Sequence, residues 1–206
     1  MAPGAELRPN VTQSLTCINA EGQQISGDDV RFVGLSPHVI ILQMIADVGL
    51  RPVTSNDEAF LLRLYATTRP EIDHFGWGEA EKQAFVAMQF QMQTRSYAMQ
   101  FPDAEISVIT VEGEDAGRII VNRTPTAISL TDIAVLPEFR GKGIATTVIE
   151  RLQEEAARTH RDVELSVERM NERAFQLYRS LGFEVTGEDQ VYLTMKWSPA
   201  NQQTAK

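Results

Sequence analysis

The sequence predicts an α/β fold on a mixed sheet, and two patterns carry that expectation. Three strand-like runs, Glu105–Glu112, Gly117–Arg123 and Ala127–Val135, follow one another through short turns at Gly113–Asp115 and Thr124–Pro125, as in an antiparallel meander. After them helical and strand-like segments alternate, which adds strands by crossover and makes the sheet mixed.

Taken in order, residues 1–46 differ from the rest. Turn signals at Glu21-Gly22 and Ser26-Gly27-Asp28-Asp29 separate short apolar runs, of which Ser14–Ala20 and His38–Met44 read as strands. Leu50–Thr54 is a short strand. Ser55 or Asn56 caps a helix over Asp57–Ala66, with acids in its first turn. A second helix covers Glu79–Met99. Its apolar residues Ala84, Phe85, Met88, Met92 and Met99 recur at helical spacing, and Pro102 ends it. Beyond the meander come a helix over Gly143–His160, a buried-looking strand Val163–Val167, a helix over Glu172–Ser180, and two closing strands, Phe183–Thr186 and Gln190–Lys196. This divides the chain into an extension (1–46), a main domain (47–197) and a polar tail (198–206).

Composition narrows the function. The single cysteine, Cys17, rules out an internal disulfide, and His38, His74 and His160 lack ligand spacing, so no metal site is expected. A net charge of −9 argues against nucleic acid as the main partner. The N-terminus has no basic stretch leading into an apolar run. The most apolar stretch, Val39–Ile45, is too short to cross a bilayer, so no membrane partner and a cytoplasmic, soluble protein are expected.

The junction after the third meander strand carries the most information. Val135 ends the strand, Pro137 breaks it, and a helix opens near Gly143, with Arg140, Gly141, Lys142, Gly143, Ile144 and Ala145 between. Small residues let backbone N–H groups approach a ligand, and a helix N-terminus favours anions. Physically this is a diphosphate cradle, although the glycines alone read equally as a tight turn. It is neither a P-loop, since no Ser or Thr follows Gly-Lys, nor a dinucleotide fingerprint, since G-x-G-x-x-G is absent.

Arg140 to Ala145 resembles the Q/R-x-x-G-x-G/A signature of the GNAT acetyltransferase superfamily. Downstream, Asn171-Glu172-Arg173-Ala174-Phe175-Gln176-Leu177-Tyr178-Arg179-Ser180-Leu181-Gly182-Phe183 resembles that family's N-x-x-A-x-x-L-Y-x-x-L-G-F motif. The resemblance spans about Val48 to Trp197. It implies the GNAT fold, with a mixed, mostly antiparallel sheet and helices on both faces. It also implies acetyl-CoA as cofactor and direct acetyl transfer to a primary amine on a small cationic molecule or a peptide. By the same resemblance the pantetheine arm lies on the backbone of Ile133, Ala134 and Val135. The diphosphate rests on the N–H groups of Arg140, Gly141, Lys142, Gly143, Ile144, Ala145 and Thr146, and Asn171 and Ala174 meet the arm.

Tyr178 lies seven residues after Asn171, on the same helix face, and the resemblance makes it the acid that protonates the leaving thiolate. The base is less determined. Several relatives carry Glu five residues before the Asn, where this chain has Ser166. Glu168 is the nearest acid and shares Ser166's face, with Asp132 and His74 as weaker candidates. The missing Glu leaves open a second reading, an acyl-CoA-binding module without transfer. From Pro70 to Asp115 nine acids face two bases, which suggests a cationic acceptor. His74, Phe75 and Trp77, within that stretch, are the candidate acceptor contacts. A monomer or homodimer is expected.

Overall fold

In the computed structural model the described residues are 47–199 and two short strands, β1 (Cys17–Ile18) and β2 (Gln24–Ile25). The chain divides into two units, Met1–Met44 and Ile45–Lys206. In the first, β1 and β2 pair antiparallel, with Cys17 opposite Ile25. β1 falls within the expected strand Ser14–Ala20, whereas His38–Met44 and residues 200–206 lie outside the described residues.

The second unit holds seven strands: β3 (Val48–Pro52), β4 (Glu105–Val111), β5 (Glu114–Arg123), β6 (Ala127–Val135), β7 (Asp162–Glu168), β8 (Glu184–Glu188) and β9 (Tyr192–Trp197). They form one sheet in the order β3-β4-β5-β6-β7-β9-β8. The only parallel pair is β6 with β7; the others are antiparallel. The four helices are α1 (Glu58–Ala66), α2 (Glu79–Gln100), α3 (Ile144–Thr159) and α4 (Glu172–Ser180). No helix among the described residues is long and apolar enough to cross a membrane.

Strand alternation sends each residue set to its own face. Ile109, Val111, Ile119, Val121, Ile128, Leu130, Val163, Leu165, Val167 and Met195 bury against Ile144, Val148, Ile149, Leu152 and Ala156 of α3 and Tyr178 of α4. A second cluster, Leu61, Tyr65 and Phe90, joins α1 to α2. β5 is buried on both faces from Ala116 to Val121. Gly117 is required there, because a Cβ at that position would collide with the Ala134 carbonyl of β6.

One local expectation changes. The cap before α1 is built by Thr54 and Asp57, not by Ser55 or Asn56. The Asp57 carboxylate accepts from the Thr54 N–H at 2.7 Å and its hydroxyl at 3.0 Å, across a 3-10 turn over Ser55–Asp57. Arg51 then ties Asp57 to Asp115 of β5. α2 forms over Glu79–Gln100, within a residue of its expected end. Met88, Met92 and Met99 are exposed, and Phe90 is the residue it buries, with Lys82, Val86, Gln89, Gln93 and Tyr97 half-buried beside it. The inward face of α2 is therefore partly polar.

Candidate active site

The parallel pairing of β6 and β7 runs from Ala127/Asp162 to Leu130/Leu165 and stops. β6 continues to Val135, still paired on its other side with β5 as far as Gly117. A bulge at Thr131, between the Leu130 and Asp132 pairs, marks the parting. Past it β7 pairs with β9 alone through Glu168, which leaves the β7-facing backbone edge of Ile133 open; the Val135 carbonyl on that edge is taken by the Arg140 side chain. Two strands that diverge in mid-sheet leave main-chain donors and acceptors without partners, and these must find water or a ligand.

A cleft of about 310 Å³ occupies this split. α1 contributes Leu64 and Tyr65, the turn after it Thr68 and Arg69, and α2 Gln93 and Tyr97, from one side of the sheet. Asn171, Ala174 and Tyr178 of the α4 segment come from the other, so the cleft passes through the sheet. Thr131, Asp132, Ile133, Ala134, Ser166 and Glu168 line its strand walls. All four tyrosines of the chain, Tyr65, Tyr97, Tyr178 and Tyr192, face it. The Thr131 hydroxyl is buried with no hydrogen-bond partner, an unmet polar group of the kind a ligand can satisfy.

The cleft's charges are balanced. Arg118, buried in β5, pairs with Asp132 at 2.7 Å and donates to Gln93 at 3.3 Å. Glu168 and Arg69 have no ion-pair partner among the described residues. Burial first, and then the charge of Asp132, pushes both the Tyr178 and the Tyr97 phenols up to about 12. Both stay protonated at neutral pH.

The cradle lies beyond the end of β6. Gly141 and Gly143 both take left-handed backbone (φ 77° each), which only glycine adopts freely, and Gly143 caps α3. Among the described residues no carbonyl or side chain accepts from the N–H groups of Gly141 through Thr146; the first backbone bond is Thr147 N–H to the Gly143 carbonyl. Six free amides at the start of a sixteen-residue helix suit an anion.

Some predicted residues take other roles. The Arg140 side chain folds back, donating to the Val135 carbonyl at 2.7 Å and to Thr67 at 3.2 Å, so it braces the loop against α1. Lys142 is exposed and sits over the Phe139 ring at 5.1 Å. Arg151 bonds the Val48 carbonyl at 2.6 Å. The Asn171 side-chain oxygen caps α4 through the Ala174 N–H at 3.2 Å, which leaves its NH₂ group for other partners. Glu168 and Ser166 do face the cleft together, with Tyr178 across from them.

His74, Phe75 and Trp77 are not brought to the cleft. The 3-10 turn over Pro70–Phe75 carries the chain outward, and Phe75 and Trp77 stack edge-on in a surface cluster with Phe85. None of the nine acids from Glu71 to Asp115 lines the cleft either; Asp73, Glu105 and Asp115 are spent on Lys82, Arg123 and Arg51. The contacts that sequence reasoning missed are Tyr65, Arg69, Gln93, Tyr97, Arg118, Thr131 and Tyr192.

Residues 102–185 match the family model of the acetyltransferase (GNAT) domain. The thialysine N-epsilon-acetyltransferase of Mus musculus is 29% identical over 101 residues, which is 44% of this chain and 59% of that protein. The chain thus spans about three fifths of the curated relative it matches. The PaiA N-acetyltransferase of Thermoplasma acidophilum, solved in complex with coenzyme A, shares the fold at TM-score 0.56 and 15% identity, over 73% of this chain and 98% of that one. Arabidopsis thaliana Naa50, solved with the bisubstrate analogue CoA-Ac-MVNAL, does so at TM-score 0.52 and 17% identity, over 73% and 98%. The family match covers both the cradle and the Asn171–Tyr178 helix: residues 102–185 match the GNAT acetyltransferase domain, and the split sheet around them has the fold of these structures.

Proposed function

We propose that the chain transfers an acetyl group from acetyl-CoA directly to a primary amine, as a cytoplasmic enzyme. The observation that carries this reading is the β6/β7 split, which opens the β6 backbone at Ile133 and Ala134 into a cleft reaching Tyr178, with the six free amides of Gly141–Thr146 beyond the end of β6. These residues fit the cofactor: the amides suit its diphosphate, and the open strand edge suits its extended arm, flanked by Asn171 and Ala174. When bound, acetyl-CoA supplies an acetyl group activated as a thioester.

The chain's own groups do the rest. Open β6 amides donate to a carbonyl oxygen, which stabilises charge that develops there. Glu168, exposed at the end of β7, takes a proton from the amine directly or through water. Tyr178 holds its proton and donates a hydrogen bond to a leaving sulfur. Transfer is direct because residues 45–206 contain no cysteine to carry an acyl group. The amine named for the mouse relative and the peptide in the plant enzyme's analogue fit a small-molecule or peptide amine as acceptor.

The test is release of free thiol from acetyl-CoA across a panel of amines, with and without Tyr178→Phe. One observation favours the alternative, a binding module without transfer: Ser166 stands in the cleft where a carboxylate would serve as base. Coenzyme A binding with no thiol released by any amine would establish that alternative.

A further inference from the structure

Arg69 stands apart from every other arginine beneath the surface. Five arginines among the described residues are buried or half-buried: Arg51, Arg69, Arg118, Arg123 and Arg161. Four of them are ion-paired, to Asp57 and Asp115, to Asp132, to Glu105 and Glu155, and to Glu155. Arg69 has no carboxylate within 4.0 Å among the described residues, although it lines the cleft. Withdrawing a guanidinium from water without a counter-charge is unfavourable, and such groups are ordinarily paired.

Nor is Arg69 loose. Its Nε donates to the Tyr65 hydroxyl at 3.1 Å, and its guanidinium lies over the Tyr65 ring at 5.1 Å. The Tyr65 hydroxyl in turn donates to Gln89 of α2 at 3.4 Å. The head group is therefore held in place from α1 and α2, while its two terminal nitrogens have no acceptor among the described residues. That fork of N–H groups matches a carboxylate.

The other charges in the cleft give this a direction. Arg118 and Asp132 satisfy each other, which leaves one unpaired cation, Arg69, and one unpaired anion, Glu168, in the same cleft. Glu71, two residues along, is exposed and forms no ion pair with Arg69. A site with one free charge of each sign is complementary to a molecule that carries both.

We propose that Arg69 binds a carboxylate of the acceptor, so that the acceptor is an amino-acid-like amine in which an ammonium faces Glu168 and a carboxylate faces Arg69. This rests on the transferase reading and narrows its acceptor from primary amines in general to zwitterionic ones.

The experiment compares α- and ω-amino acids with their carboxamides as acceptors, reading kcat/KM by thiol release in the wild type, Arg69→Gln and Arg69→Lys. For the best acceptor the carboxylate form is expected to exceed its amide by about 10- to 100-fold. Arg69→Gln brings that ratio near one, and Arg69→Lys keeps part of it. Both substrates are measured on one enzyme sample, so partial loss of folded protein leaves the ratio unchanged. A wild-type ratio near one across the panel, or an unchanged ratio in Arg69→Gln, overturns the proposal. If no amine releases thiol, the transferase reading fails by itself, and calorimetry with the N-acetylated amino acids and their amides takes over. Tighter binding of the carboxylate form that vanishes in Arg69→Gln supports the pairing, and equal binding overturns it.

Discussion

Replacing Tyr178 by Phe isolates one hydroxyl. The ring is 8% exposed and packs edge-on against Phe183 at 5.8 Å, contacts that Phe retains. The phenol sits at about 12, because burial and Asp132 both disfavour phenolate. A thiol of ordinary acidity has a pKa of about 8.5, so passing the proton from Tyr178 to a thiolate runs uphill by about 3.5 units, or about 5 kcal/mol. Full proton transfer is thus disfavoured, whereas a hydrogen bond to the charged sulfur is available and contributes about 1.5–3 kcal/mol. Tyr178→Phe should therefore lower kcat by about 10- to 150-fold, where a true general acid could cost as much as about 10⁴-fold. The assay is single-turnover acetyl transfer, with affinity for acetyl-CoA measured separately and expected to hold. In the wild type no falling limb assignable to Tyr178 should appear below about pH 11. A loss near 10⁴-fold, or an alkaline limb at pH 9–10 that disappears in Tyr178→Phe, would refute the hydrogen-bond role. A loss under twofold would remove Tyr178 from the chemistry altogether.

Three further outcomes follow from the geometry. Gly143→Asp puts a negative side chain at the α3 N-terminus, in a left-handed conformation that Asp tolerates; coenzyme A binding should weaken at least about tenfold, or about 1.4 kcal/mol, in calorimetry, with Gly143→Asn as the uncharged control. Thr131→Val removes a buried hydroxyl that has no partner, so stability in urea should stay level or rise by about 1 kcal/mol, and a drop of that size would mean that the hydroxyl is satisfied. Tyr97 and Tyr178 both have folded values raised above the unfolded value of about 10, so their contribution is complete below pH 10 and is lost as pH rises through about 12; the buried Tyr178 accounts for up to about 3 kcal/mol and the more exposed Tyr97 for less, and the double Phe variant should flatten alkaline unfolding over that window.

The strands and α3 were legible because their side chains answer mainly to the core. Ile144, Val148, Ile149, Leu152 and Ala156 keep helical spacing and all bury, and the period-2 runs of β4 to β6 land within a few residues of their expected ends. α2 was legible as a helix but the face it buries was not, for an equally physical reason. Its inward face carries Gln89, which accepts from Tyr65, and Gln93, which accepts from Arg118, so polar residues point in to serve the cleft while methionines point out. A hydropathy pattern read without the cleft selects the wrong face, and such conflicts between local pattern and structure are expected at functional sites. One signal was available: Arg118 interrupts the apolar run Ala116–Val121 of β5, and Asp132 is the one charged residue of β6. Two opposite charges inside neighbouring buried strands invite pairing, and the pair marks the cleft wall.

The cradle and the acidic stretch show what spacing and charge counting each miss. The Arg140 to Ala145 signature places the turn correctly, yet its formal charge is not what faces a ligand: Arg140 closes onto Val135 and Thr67, and the free groups are backbone amides that any sequence of that shape would present. The Pro70–Asp115 acids lie close together in sequence but are scattered over a 3-10 turn, the start of α2, two strands and the loops beside them, where Lys82, Arg123 and Arg51 pair with three of them. A field in a cleft depends on which charges reach it unpaired. By that criterion the acceptor side carries one cation and one anion, Arg69 and Glu168, and not an acidic wall. The same criterion separates the two acceptor classes in one measurement: a cationic amine held by acids alone would lose kcat/KM steeply with salt and ignore Arg69→Gln, whereas a zwitterion gripped at both ends by partly buried charges should respond to the substitution far more than to salt.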